Sequence, residues 1–143
     1  MPSISLTKAN KMIASALTKA RELGLKPLAV SVLDAGGHPI AFQKQDGASM
    51  MRFEIATGKA YGVLALGVGG RSVNKIASDR PHFFTGLTGV SGGRIVPVPG
   101  GVLVRTKAGE IIGAVGVTGD TSDNDEAAAI AGIEAAGFVP DAG

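Results

Sequence analysis

The run Asp120-Thr121-Ser122-Asp123-Asn124-Asp125-Glu126 places four carboxylates within seven positions. That density suits a metal loop, a pair of acid–base carboxylates, or the first turn of a helix. A calcium loop of the EF-hand type needs a central glycine and a bidentate glutamate at its twelfth position, and this run has neither. Helix initiation is simpler. Asp123 as N-cap with Glu126 three residues on is an acidic version of the capping box. Carboxylates there also face the positive end of the helix dipole, which stabilises each by about 0.3–1 kcal/mol. Asp120 differs, because it follows Gly119 at the mouth of an apolar run, where ligands commonly meet a sheet. Asp120 and Glu126 are therefore candidate catalytic bases, with Lys59 or Arg52 as the cation that would anchor an anionic substrate. The chemistry they imply is proton abstraction, isomerisation or hydration at a small carbonyl or carboxylate-bearing metabolite.

Other motifs carry less. Gly89-Val90-Ser91-Gly92-Gly93 matches G-x-S-x-G, but in the hydrolase fold that uses it the histidine follows the serine. Here His38 and His82 both precede Ser91. Gly67-Val68-Gly69-Gly70 has Ser72 where a dinucleotide loop needs its third glycine, and it follows a helical pattern. Lys59 after Gly58 has neither the Walker spacing nor the following Ser or Thr. His38 lies in a turn and His82 precedes two phenylalanines, so exposure and packing are their ordinary explanations. Both are also candidate haem-iron ligands, as are Tyr61 and the Met50/Met51 pair, for which helical core packing competes.

Composition narrows the classes. A chain of 143 residues is expected to form one domain, 1–143, with a proper core. It has no cysteine, which excludes disulfides, thiolate metal sites and a cysteine nucleophile. The formal net charge is +2 and aromatics are 4% of the chain, with basic residues scattered, so nucleic acid is not an expected partner. No apolar run approaches the roughly 18–20 residues that span a bilayer, and the N-terminal MPSISLTKANK is not followed by a signal-like apolar stretch. No membrane partner and a cytoplasmic location are the expectations. The 22 glycines are the anomaly, and they permit close approach of backbone to backbone or to a ligand.

The elements that must position these residues follow from periodicity. Ala9, Met12, Ile13, Ala16, Leu17, Ala20 and Leu23 recur at helical spacing, with Gly24 as C-terminal cap and Pro27 beyond it. LAVSVLD (28–34) and HPIAFQKQ (38–45) flank a glycine turn and predict a hairpin. Ser49 is expected to cap a second helix with Phe53, Ala56, Ala60, Val63 and Leu64 on its apolar stripe. Gly58 and Gly62 within it mark a close neighbour. A short helix from Ser72 to Ser78 is expected to stop before Pro81. Ile95, Val96 and Val98 suggest a short edge strand in the Gly/Pro-rich stretch 86–101. GVLVRT (101–106) and EIIGAVGVT (110–118) form a second hairpin, whose second strand is apolar on both faces and therefore central. An alanine-rich helix runs from Asp123 to Ala136, closed by Gly137. The order α-β-β-α-α-β-β-β-α, without regular βαβ crossovers, predicts an α+β fold with an antiparallel sheet.

Taken together, these pieces resemble the GlcG/HbpS family of haem- or corrinoid-associated domains, with the related C-terminal domain of PduO-type proteins. The resemblance rests on Asp34-Ala35-Gly36-Gly37-His38-Pro39-Ile40-Ala41, Asp46-Gly47-Ala48, Gly58-Lys59-Ala60-Tyr61, Pro99-Gly100-Gly101, and IGAVGVTG running into Asp125-Glu126. It implies a profilin- or roadblock-like α/β/α sandwich, a five-stranded antiparallel sheet with helices on both faces, and a homo-oligomer, from a dimer upward. It also implies a small-molecule ligand: haem, a related tetrapyrrole or a corrinoid. On that expectation the loops Ser91-Gly92-Gly93 and Pro99-Gly100-Gly101 let a flat ring approach the backbone. Arg52, Lys59 or Arg94 then pairs with its carboxylates. The competing expectation is the cofactor-free acid–base enzyme built on Lys59, Asp120 and Glu126, serving organic-acid or aromatic catabolism.

Overall fold

A computed structural model describes residues 2–143. Five α-helices and five strands follow in the order α1 (Leu6–Leu23), β1 (Ala29–Asp34), β2 (Pro39–Lys44), α2 (Arg52–Leu66), α3 (Gly70–Asp79), α4 (Pro81–Val90), β3 (Gly101–Arg105), β4 (Ile111–Thr118), α5 (Ser122–Ala135) and β5 (Val139–Asp141). The strands make one sheet in the order β2-β1-β4-β3-β5, every pairing antiparallel. This is the α+β fold with an antiparallel sheet that the element order predicts, and the five-stranded sandwich that the family resemblance implies.

Strand alternation divides the side chains between two helical layers. Val30, Val32, Val102, Val104, Val115 and Val117 face α1 and α5 in the larger core, together with Met12, Ile13 and Ile133. Fully burying a side chain of this kind contributes about 1.5–3 kcal/mol. On the other face, Leu33, Leu103 and Ala114 meet Ala60 and Val63 of α2, with Val73 of α3 behind them. That face is otherwise floored by small residues, and α2 comes down almost onto the backbone. A Cβ on Gly116 would collide with the Ala56 carbonyl, and one on Gly101 with the Lys59 carbonyl. β4 lies between β1 and β3 and is buried from Ile112 to Thr118, as its apolar character on both faces required.

Several boundaries differ from expectation, each for a local reason. The short helix does end before Pro81, at Asp79, but Pro81 also starts a further helix: it occupies the first turn of α4, where its missing N–H is not needed. The preceding helix α3 begins at Gly70, earlier than Ser72. Ile95, Val96 and Val98 form no strand. Their segment runs along α2, with Val96 N–H donating to the Gly58 carbonyl at 3.2 Å. A Cβ on Gly58 would fall 2.6 Å from Val96 Cγ2, and one on Gly62 would fall 2.9 Å from Ile95 Cγ2, which explains the two glycines inside α2. The fifth strand is instead the short β5, paired with β3 at the sheet edge. Helix α2 has no side-chain cap from Ser49, since Met51 is its N-cap residue. Helix α5 is capped by Thr121, not Asp123: Thr121 Oγ1 accepts from Asn124 N–H at 3.2 Å.

Candidate functional site

An apolar cleft of about 430 Å³ opens along the outer side of α2. Glu54, Ile55, Thr57, Gly58 and Tyr61 come from the helix itself. Met51 and Phe53 form one rim, Gly37 in the β1–β2 turn forms a second, and Gly93, Arg94 and Val96 close the third. The size lies within the range of small-ligand sites, ~300–1,000 Å³.

Each wall has a local cause. Gly37 takes φ 82°, a left-handed turn conformation open to glycine, and a Cβ there would stand 3.4 Å from the Tyr61 ring. Asp34 Oδ1 ties that turn by accepting from Gly36 N–H at 2.9 Å and His38 N–H at 3.0 Å. These bonds to the charged form hold the Asp34 carboxyl below its ordinary value. Phe53 was expected in the α2 core, but it is 41% exposed and meets Phe42 edge-to-face at 4.8 Å. Gly92 and Gly93 take φ 70° and 77° after α4, turning the chain back towards α2. Arg94 Nε donates to the Ser91 carbonyl at 2.7 Å, and the guanidinium lies 4.3 Å over the Tyr61 ring. A cation over an aromatic face is worth about 0.5–1 kcal/mol at such an exposed site. Among the described residues only Nε makes a hydrogen bond, and Arg94 lines the cleft, which leaves its terminal N–H groups uncommitted. A planar guanidinium of this kind grips a carboxylate through two parallel hydrogen bonds.

The structure thus brings together Met51, Tyr61, Gly93 and Arg94 among the residues singled out in the sequence, with Ser91 and Gly92 in the adjoining turn. Ser91 is buried, and its hydroxyl donates to the Thr88 carbonyl at 3.3 Å at the end of α4. The others lie elsewhere. Arg52 Nη1 donates to Thr118 Oγ1 at 3.1 Å, at the end of β4. Lys59 is buried at 3% exposure and donates to Asp125 Oδ2 at 3.1 Å and to the Val117 carbonyl at 3.0 Å. Burial pulls its ammonium below the ordinary lysine value, and the Asp125 charge opposes that pull. Pro99-Gly100-Gly101 packs on Lys59 and is not part of the cleft lining: a Cβ on Gly100 would fall 2.8 Å from Lys59 Nζ. Glu126 is paired with Arg71 of α3 through both carboxylate oxygens. Asp120 accepts from Lys26 N–H at 3.0 Å, Thr121 N–H at 2.8 Å and Asn124 Nδ2 at 2.8 Å. These bonds, led by the one from Asn124, draw its carboxyl down to about 2. His38 is exposed beside Asp34, with Nδ1 3.3 Å from Oδ1. His82 lies in a separate hollow at the α3–α4 corner, beside Asp79, Arg80, Pro81 and Phe83.

Sequence reasoning missed Asp125 as the partner of Lys59 and Arg71 as the partner of Glu126, contacts that cross 66 and 55 positions. It also missed Phe53 and Val96 as cleft walls.

Fold and cleft define a class: an α/β/α sandwich that offers a small ligand a largely apolar wall with one guanidinium, Arg94, and one carboxylate, Glu54. Within that class the chain belongs to the haem-degrading protein HbpS-like family, whose model matches residues 4–134. An uncharacterised 15.0 kDa protein from the dhaT–dhaS intergenic region of Citrobacter freundii is 33% identical over 123 residues, covering 86% of this chain and 84% of that protein. The crystal structure of Klebsiella pneumoniae ORFY is similar with TM-score 0.86 at 28% identity, covering 96% of this chain and 92% of that one. The fold is shared with a PduOC–haem complex, TM-score 0.85 at 23% identity over 96% of this chain and 97% of that one. It is also shared with a double mutant of Streptomyces reticuli HbpS, TM-score 0.79 at 24% identity over 94% and 87%.

Proposed function

We propose that this protein binds haem, or a related tetrapyrrole or corrinoid, in the cleft along α2. The observation that carries this reading is the pairing of an apolar wall, Phe53, Ile55, Tyr61 and Val96, with the uncommitted terminal N–H groups of Arg94. A flat ring lies on the wall and one carboxylate meets the guanidinium. The family model, described as haem-degrading, and the haem held by the PduOC relative support the ligand class. The acid–base alternative draws no support from the cleft, whose lining includes none of Lys59, Asp120 or Glu126. A homo-oligomer belongs to the same proposal, with Met50 at 90% and Val90 at 88% exposure as apolar area that association would cover.

The test is a titration of the purified protein with haemin. A shifted, saturable Soret band is expected, and Arg94→Ala should weaken binding by about tenfold or more, the usual cost of one charge-assisted hydrogen bond. An unshifted band throughout the titration would overturn the proposal.

A further inference from the structure

We propose that the cleft recognises the flat ring and a carboxylate of a porphyrin and not its metal, so that metal-free protoporphyrin is bound as well as haemin. The inference rests on the reading of the cleft given above and narrows what that cleft selects.

A firmly held haem iron needs a donor atom aimed at the ring centre and kept in that direction by packing or by a second hydrogen bond. The chain has no cysteine. Neither histidine lines the cleft. The His38 side chain is 79% exposed, and its ring lies over Gly36 with Nδ1 turned to Asp34. His82 lines the hollow at the α3–α4 corner. The donors that do line the cleft are Met51 Sδ, the Glu54 carboxylate and Tyr61 Oη. Among the described residues none of the three makes a side-chain hydrogen bond that would hold it in one direction. Met51 is 60% exposed at the start of α2, where a thioether has many rotamers. Tyr61 is held differently: the Arg94 guanidinium covers one face of its ring, and Gly37 stands beside its edge, where an added Cβ would lie 3.4 Å from Cδ2. That geometry fixes the ring as a wall for stacking. The groups best fixed in the cleft are thus a guanidinium tethered at Nε, an aromatic face and aliphatic side chains, and each recognises a part of the porphyrin other than the metal.

The experiment titrates the full chain in parallel with protoporphyrin IX, followed by its fluorescence, and with haemin, followed by its Soret band. The two dissociation constants are expected to agree within about threefold, less than 1 kcal/mol apart. Arg94→Ala should weaken both ligands together. Tyr61→Phe, which keeps the aromatic face, should leave the ratio of the two constants unchanged. Haemin bound more than tenfold tighter than protoporphyrin IX would overturn the inference while leaving the cleft reading intact. So would a variant, Tyr61→Phe or His38→Ala, that weakens haemin alone. If neither porphyrin binds, the cleft reading fails and this inference fails with it.

Discussion

Lys59 Nζ and Asp125 Oδ2 meet 3.1 Å apart across the end of the sheet, joining helices that pack on its opposite faces. Lys59 leaves α2, passes Gly100 and the Val117 carbonyl, and reaches the first turn of α5, where Asp125 Oδ1 also accepts from Asp120 N–H at 2.9 Å. Both side chains are almost wholly buried, at 3% and 1% exposure. Removing one partner of such a pair strands the other charge in the interior, which typically costs about 3–5 kcal/mol. Lys59→Met is expected to lower unfolding stability by that amount in urea denaturation. Lys59→Met combined with Asp125→Asn should be less destabilising than the sum of the single changes, with a coupling of about 1–3 kcal/mol. Simple additivity would show that the pair does not act as a unit.

The glycines separate into two opposite expectations. Gly116 lies in β4 beneath the Ala56 carbonyl, so Gly116→Ala must push α2 off the sheet and should cost about 1–3 kcal/mol or more. Gly86, in α4, has open space where a Cβ would stand. Gly86→Ala should therefore stabilise the protein by about 0.5–1 kcal/mol through helix propensity and lost unfolded-state freedom. Thermal denaturation of the two variants separates the signs directly.

That contrast also shows what was legible in the sequence. Periodicity revealed α1, the β1–β2 and β3–β4 hairpins and the central place of β4, because alternation and helical spacing are local properties. The glycines at 58 and 62 were legible as marks of close approach, and Ile95 and Val96 are what approaches. Helix α4 was hidden, because Pro81, Gly86 and Gly89 read as breakers although a proline is at home in a first turn. β5 was hidden by its length of three residues. At the site, Tyr61, Gly93 and Arg94 stood out by type, whereas Lys59 and Glu126 looked available because nothing local names Asp125 or Arg71 as their partners. Ion pairs that close across the tertiary fold leave no periodic trace.

Arg94 supplies a prediction on ligand chemistry. If its terminal N–H groups grip a carboxylate, blocking that carboxylate must weaken binding without altering the ring. Protoporphyrin IX dimethyl ester is expected to bind about tenfold or more weakly than the free acid, and Arg94→Ala should remove the difference. Arg94→Lys keeps the charge but loses the planar fork and the stack on Tyr61, so its affinity should fall between those of wild type and Arg94→Ala. Equal binding of ester and acid by wild type would show that the cleft reads the ring alone.

Asp120 sets the last prediction, on acid stability. Its three hydrogen bonds are made to the ionised carboxylate, and its folded value near 2 lies below the ordinary 3.8. A carboxyl depressed on folding contributes stability above its unfolded value, and that contribution is lost as pH falls through the folded one. Between these limits the unfolded chain binds more protons, so stability should rise with pH from about 2 to about 4. Asp34, also held below its ordinary value, adds to the slope in the same sense. Asp120→Asn retains an oxygen acceptor but cannot titrate, and should flatten part of this dependence while lowering stability at neutral pH. The check is a series of urea midpoints between pH 2 and pH 7 on both proteins. If the two curves run parallel through the acid range, Asp120 does not contribute to the acid transition.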